Sequence, residues 1–100
     1  MMDSKKIQSK EGDNVIFIGG KPLVNYVRGV ITQFDRWNAE EVVIKSRGKF
    51  ISRAVDVAEI SKRTLEAKNV KVKSVSIASE SFESGDKKTN ISTMEIVLGK

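Results

Sequence analysis

The sequence has no cysteine and no histidine. Without cysteine there is no disulfide framework, no thiolate nucleophile and no thiolate metal site. Without histidine the commonest general base at neutral pH is missing, and with it the serine triad and nearly all transition-metal sites. A metal held by carboxylates, or a lysine or tyrosine base, is a minority route. The expectation is therefore a protein that is not an enzyme and carries no metal or other cofactor. No apolar run exceeds four residues, far short of a membrane span. Residues 1–13 are polar, carry both signs of charge and lack the apolar stretch of a signal peptide. A cytosolic protein that does not enter membranes is expected.

The 100 residues suffice for one domain. A chain of this size buries only a modest core, so support from a second subunit is in keeping with its length. There are 18 Lys and Arg against 13 Asp and Glu, a net charge of +5. A basic surplus on a small domain points first to polyanions, with nucleic acid ahead of acidic membrane surfaces.

Residues 1–13 read as a flexible N-terminal arm and residues 14–100 as a single domain. Val15-Ile16-Phe17-Ile18 is a run of strand formers ended by Gly19-Gly20, and its lack of alternation suggests a strand that is central or covered on both faces. Pro22 suits a helix start. Leu23, Val24, Val27, Val30, Ile31 and Phe34 follow at helical steps, giving an amphipathic helix over about 22–36. Val42-Val43-Ile44 is a second inner strand, parallel to the first. Lys45 to Lys49 reads as a polar link, and a second helix covers about 51–67. On it Ile51, Ala54, Val55, Ala58 and Leu65 form the apolar stripe, with Val57 and Ile60 outside.

From Asn69 to Ala78 the pattern is strand-like. The apolar parity switches from Val70 and Val72 to Val75 and Ile77, which a bulge near Lys73 and Ser74 explains. Ser84-Gly85-Asp86 signals a turn. The last strand, Ile91 to Leu98, pairs back to make a long hairpin at about 70–98. The order β-α-β-α-β-β defines an α+β fold, an α/β two-layer sandwich with a mixed four-stranded sheet.

Charge is unevenly spread. Lys45 to Arg53 holds four cations and no acid. Parallel strands place their C-terminal ends side by side, so Lys21, Arg47, Lys49 and Arg53 are expected on one edge beside two helix N-termini. Free N–H groups and the helix dipole favour anions there. Gly19, Gly20 and Gly48 let backbone approach a phosphate. Arg47 offers paired donors, while Lys21 and Lys49 are point charges. Tyr26 is placed either to stack on a base or to cap the core with its hydroxyl outward. Trp37 reads as packing. Gly19-Gly20-Lys21 is not a nucleotide-binding phosphate loop, because Pro22 stands where a hydroxyl residue is required.

Ile18-Gly19-Gly20-Lys21-Pro22 followed by Asn25-Tyr26-Val27 resembles the opening signature of the Alba family of small basic archaeal chromatin proteins. Ile44 to Lys49, Ile51 to Asp56 and Ile91 to Ile96 resemble its other signatures, with compatible spacing over about 13–100. The resemblance implies the fold shared with the C-terminal domain of translation initiation factor three. It also implies a homodimer whose hairpins reach out as arms, and association with the chromosome. The implied partners are double-stranded DNA, bound with little sequence preference, and RNA. Lys21, Tyr26, Arg47, Gly48, Lys49 and Arg53 match the family's binding surface, and Lys87 and Lys88 lie on the arm.

This chain departs from the family pattern in three places. Gly20 replaces the first of two lysines, the acetylated one in many members, which leaves Lys21 as the candidate for modification. The hairpin tip carries Glu83 and Asp86 against Lys87 and Lys88, with Glu80 just before. That balance predicts weaker DNA binding or more selective targets. Leu65 stands where many members carry an aromatic at the contact between dimers. Two alternatives remain beside chromatin architecture. One is an RNA-binding module of a ribonucleoprotein, in which Tyr26 stacks on exposed bases. The other is an enzyme or sensor for a small phosphorylated ligand.

Overall fold

A computed structural model describes residues 14–100. The expected arm at 1–13 lies outside the described residues. Strand β1 (Val15–Phe17), helix α1 (Leu23–Asp35), strand β2 (Glu41–Arg47), helix α2 (Ile51–Thr64), strand β3 (Lys71–Ser84) and strand β4 (Lys87–Gly99) follow in that order. Short 3-10 turns at Gly48–Phe50 and Glu66–Lys68 flank α2. The sheet order is β1-β2-β4-β3. β1 and β2 are parallel, while β2 with β4 and β4 with β3 are antiparallel. This is the expected mixed sheet of an α+β fold.

Both helices pack on one face of the sheet. From α1, Tyr26, Val27, Val30 and Phe34 are buried at the i, i+1, i+4, i+8 spacing of a core-facing stripe. From α2 the buried set is Ala54, Val57, Ala58 and Ser61. Val57 is therefore inside and Val55 is exposed, the reverse of the expected stripe, because the i, i+3, i+4, i+7 face through Ala54 excludes Val55. Val42, Ile44, Ile96 and Leu98 complete the core from the sheet. Leu65 follows the end of α2 and is buried in this core. It has no surface to offer to a neighbouring dimer.

Three expectations about the strands change. β1 is an edge strand, and Phe17 is 70% exposed. The apolar run fills both faces of β1, but helices cover only the face of Ile16 and Ile18. β2 continues through Lys45, Ser46 and Arg47, which were expected in a link. Its alternation sends Ser46 to the core and Lys45 and Arg47 to the open face of the sheet. The hairpin strands also run on through the expected loop at 80–90, closing with Ser84 paired to Lys87. Of the two turn residues, Gly85 takes φ 62 and Asp86 has no positive φ, the type II′ arrangement that favours glycine first.

The parity switch on β3 has the expected cause, a register shift between Val72 and Ser74. It keeps Val72, Val75 and Ile77 on the helix-side face, opposite Leu98, Ile96 and Met94. Neither helix covers this edge, and the three residues are 38%, 54% and 76% exposed.

Candidate nucleic-acid interface

The parallel ends of β1 and β2 meet as expected. Phe17 pairs with Lys45, and the Ile18 N–H donates to the Lys45 carbonyl at 2.9 Å. Two connections leave this edge, residues 18–22 toward α1 and Gly48–Phe50 toward α2. Neither helix N-terminus has a side-chain cap or an acidic residue in its first turn. The first N–H groups of both helices are thus free of carboxylate competition at an edge rich in cations.

The first connection is tied down from beneath. Tyr26 is 9% exposed, and its hydroxyl accepts from the Gly19 N–H at 2.9 Å and the Lys21 N–H at 3.1 Å. The ring belongs to the core, so the expected stacking of Tyr26 on a base is replaced by a positioning role. Arg53, in the first turn of α2, donates through Nη2 to the Lys21 carbonyl. This bond brings Lys21 and Arg53 together across the two connections and engages part of the guanidinium in holding the loop. The Lys21 side chain remains exposed.

Arg47 ends β2 on the open face. Its Nη1 donates to Glu80 Oε1 of β3 at 2.8 Å, and its guanidinium carbon lies 6.0 Å from the centre of the Phe82 ring. Gly48 follows with φ 58, a left-handed turn that any other residue adopts only under strain. It aims the chain from strand to helix and leaves Lys49 exposed. Lys87 and Lys88 do not join this group. Arg47 pairs with Thr93, and Lys88 lies five residue steps from Thr93, about 17 Å along the hairpin. Both lysines are exposed, on an arm that projects from the same end of the sheet.

The open face holds a group of residues that sequence reasoning missed. A concavity of about 840 Å³ is bordered by Phe17, Lys45, Arg47, Glu80, Phe82 and Glu95 among others. Lys45 pairs with Glu95 at 3.5 Å and lies 5.8 Å from the Phe17 ring centre. Period-two alternation around Phe17, Lys45 and Arg47 was the available signal, and the link assigned to 45–49 hid it. Trp37, read as packing, is 69% exposed. Among the described residues no three carboxylates cluster as a metal site, and no helix is long and apolar enough to cross a membrane. The arrangement as a whole sets exposed cations beside two helix N-termini at one end of the sheet.

Comparison with known proteins identifies the relatives of this chain. The Alba family model matches residues 14–79. The DNA/RNA-binding protein Alba of Methanococcus maripaludis is 47% identical over 90 residues, covering 88% of this chain and 99% of the relative. The protein of the same name from Methanoculleus marisnigri is 51% identical over 86 residues, 86% of this chain and 92% of that one. Among solved structures, Alba from Thermoplasma volcanium superposes with a TM-score of 0.77 at 41% identity, covering 87% of this chain and all of its own.

Proposed function

The chain belongs to the Alba family, and from that premise we propose that it binds double-stranded DNA as a homodimer, chiefly through phosphate contacts and with little sequence preference. Nucleic-acid binding without enzymatic activity is the property of the family. The duplex, the dimer and a role in chromosome architecture are the finer parts of the reading.

One observation carries it. Lys21, Arg53, Arg47 and Lys49 are gathered at one end of the sheet, around two helix N-termini without side-chain caps. Cations set beside helix N-termini whose first turns carry no acidic residue suit a line of phosphates, which fix register and carry no base identity. The arm, with Lys87 and Lys88, extends the contact beyond this edge. The uncovered Val72, Val75 and Ile77 support the dimer, since an apolar edge strand left in water invites a second copy. Acetylation of the exposed Lys21 would remove one phosphate contact. Stacking on Tyr26 plays no part, because its ring is in the core.

The test is a salt titration of binding to duplex DNA by the wild-type protein and by Arg47→Ala, with sedimentation reading the oligomeric state. Wild-type affinity should fall steeply with salt as counterions are released. The variant should lose affinity across all sequences, with a log–log slope shallower by about one. An unchanged affinity and slope would place the duplex on another surface.

A further inference from the structure

Each of three phenylalanines bordering the open face has a cation within 6 Å of its ring centre. Lys45 stands 5.8 Å from Phe17, Arg47 6.0 Å from Phe82 and Lys49 5.5 Å from Phe50. All six side chains line the same concavity. Phe17 is 70% exposed and Phe82 43%. Burying such a ring is worth about 1.5–3 kcal/mol, so exposing two of them on one face has no rationale in packing. Both lie on the face away from the helices, apart from the uncovered apolar edge of β3.

We propose that this groove is a binding site for unpaired bases of single-stranded RNA, adjoining the edge that meets duplex phosphates and sharing Arg47 and Lys49 with it. The proposal rests on the nucleic-acid-binding reading above and adds a second ligand form to it. Aromatic rings interleaved with cations are the general solution for single strands, because every base has a face to stack and every linkage has a phosphate to neutralise. A duplex keeps its bases stacked inside and cannot use the rings. Phe17 and Phe82 sit on the two edge strands of the sheet, three strand spacings or about 14 Å apart across it, and Phe82 lies six residues beyond the level of Phe17, a further ~20 Å along the strands. That separation requires an extended strand rather than one nucleotide. Lysine and arginine stems are long enough to swing from ring to phosphate when a base takes the ring face.

The polar residues of the groove favour RNA. Thr93 and Glu95 lie between the aromatic positions, and both accept hydrogen bonds from a 2′-hydroxyl, the group that distinguishes RNA from DNA. Glu80 and Glu95 already pair with Arg47 and Lys45, so the groove is close to neutral. Binding there should depend more on stacking than on counterion release, with a shallower salt slope than duplex binding.

The experiment compares a short oligouridylate, the matching single-stranded DNA and a duplex DNA, by fluorescence anisotropy on the full chain. The double variant Phe17→Ala/Phe82→Ala should bind the oligouridylate about tenfold more weakly or worse. The single variant Phe17→Ala, whose ring neighbours Lys45 and none of the cations of the phosphate edge, should also weaken oligouridylate binding, while its duplex affinity changes by less than about twofold. Both side chains are exposed, and thermal melting checks that the variant folds. Phe17→Trp in a Trp37→Phe background keeps an aromatic at the site. It should retain RNA binding and show indole quenching on addition of RNA. Equal losses for RNA and duplex in Phe17→Ala, or no loss for either, would overturn the proposal. Equally tight wild-type binding of the single-stranded DNA would overturn the assignment to RNA. Wild-type binding to duplex but not to oligouridylate would overturn the groove and leave the duplex reading standing. Binding to neither would overturn both.

Discussion

The loop edge and the hairpin both carry cations, but they hold them in opposite ways. At the edge, Lys21 is fixed through its backbone by the Tyr26 hydroxyl on one side and Arg53 on the other. The Tyr26 anchor rises directly from the core, and Arg53 reaches over from the first turn of α2. On the hairpin every residue of β3 is exposed, and β4 is exposed as far as Asn90. A two-stranded ribbon of this kind is only marginally stable alone. Its charge also differs, since Glu80, Glu83 and Asp86 outnumber Lys87 and Lys88 between residues 79 and 90. The contrast separates two tasks. The edge is preorganised and basic, so little ordering entropy is lost when phosphate arrives. The arm is exposed along its length and slightly acidic, so it can extend a contact but cannot drive association.

If that division is right, the largest effect should come from loosening the edge without touching any cation. Tyr26→Phe removes the acceptor of two backbone N–H groups. Both donors are only part-buried, so water can replace the hydroxyl and each lost bond costs about 0.5–1.5 kcal/mol; in a domain of this size each kcal/mol lowers Tm by about 4–8 °C. Duplex affinity should fall as well, although the hydroxyl faces no phosphate. A variant that melts early and binds normally would break the comparison, because the edge would then need no anchoring. A smaller effect of opposite sign tests the charge side. A Cβ at Gly20 would meet nothing within 4 Å, so Gly20→Lys adds a cation to the anchored loop without displacing a neighbour. The log–log salt slope for duplex binding should steepen by about 0.9. No change would mean that the loop does not face the backbone.

Much of this was legible before any coordinates. Val27, Val30 and Phe34 announce α1 by spacing, and the parity change from Val72 to Val75 announces the bulge. Both signals are local, and local periodicity is what a sequence displays directly. The meeting of Lys21 with Arg53 followed from one further step, the parallel pairing of β1 and β2. What stayed hidden depends on sheet order and register. Val15 to Ile18 cannot reveal that helices cover only one face, so its edge position was missed. Arg47 and Glu80 are 33 residues apart, and they meet only because β4 sets β3 in one register against β2. Phe17 and Phe82 share a groove for the same reason. Tyr26 failed differently, because the same helical position serves a core ring or a surface ring, and only the loop folded over its hydroxyl decides.

The smallest predicted effect lies where the two regions touch. Glu80 belongs to the arm and Arg47 to the edge, and their 2.8 Å contact occupies the guanidinium with a carboxylate. That carboxylate stands in the position a phosphate oxygen would take, so an arriving duplex must displace it. Both side chains are more than half exposed, and exposed pairs are worth about 0.2–1 kcal/mol. Glu80→Gln should therefore raise duplex affinity by no more than about fivefold. It should steepen the salt slope, because Arg47 then exchanges counterions rather than a carboxylate for the phosphate. The fold should be unaffected, since the hairpin ladder does not use the side chain. Repeating the change in the Arg47→Ala background separates two explanations. If the gain vanishes there, Glu80 acts through Arg47, and the arm restrains the edge by direct competition. If the gain persists, Glu80 repels the backbone on its own account, and edge and arm contribute independently.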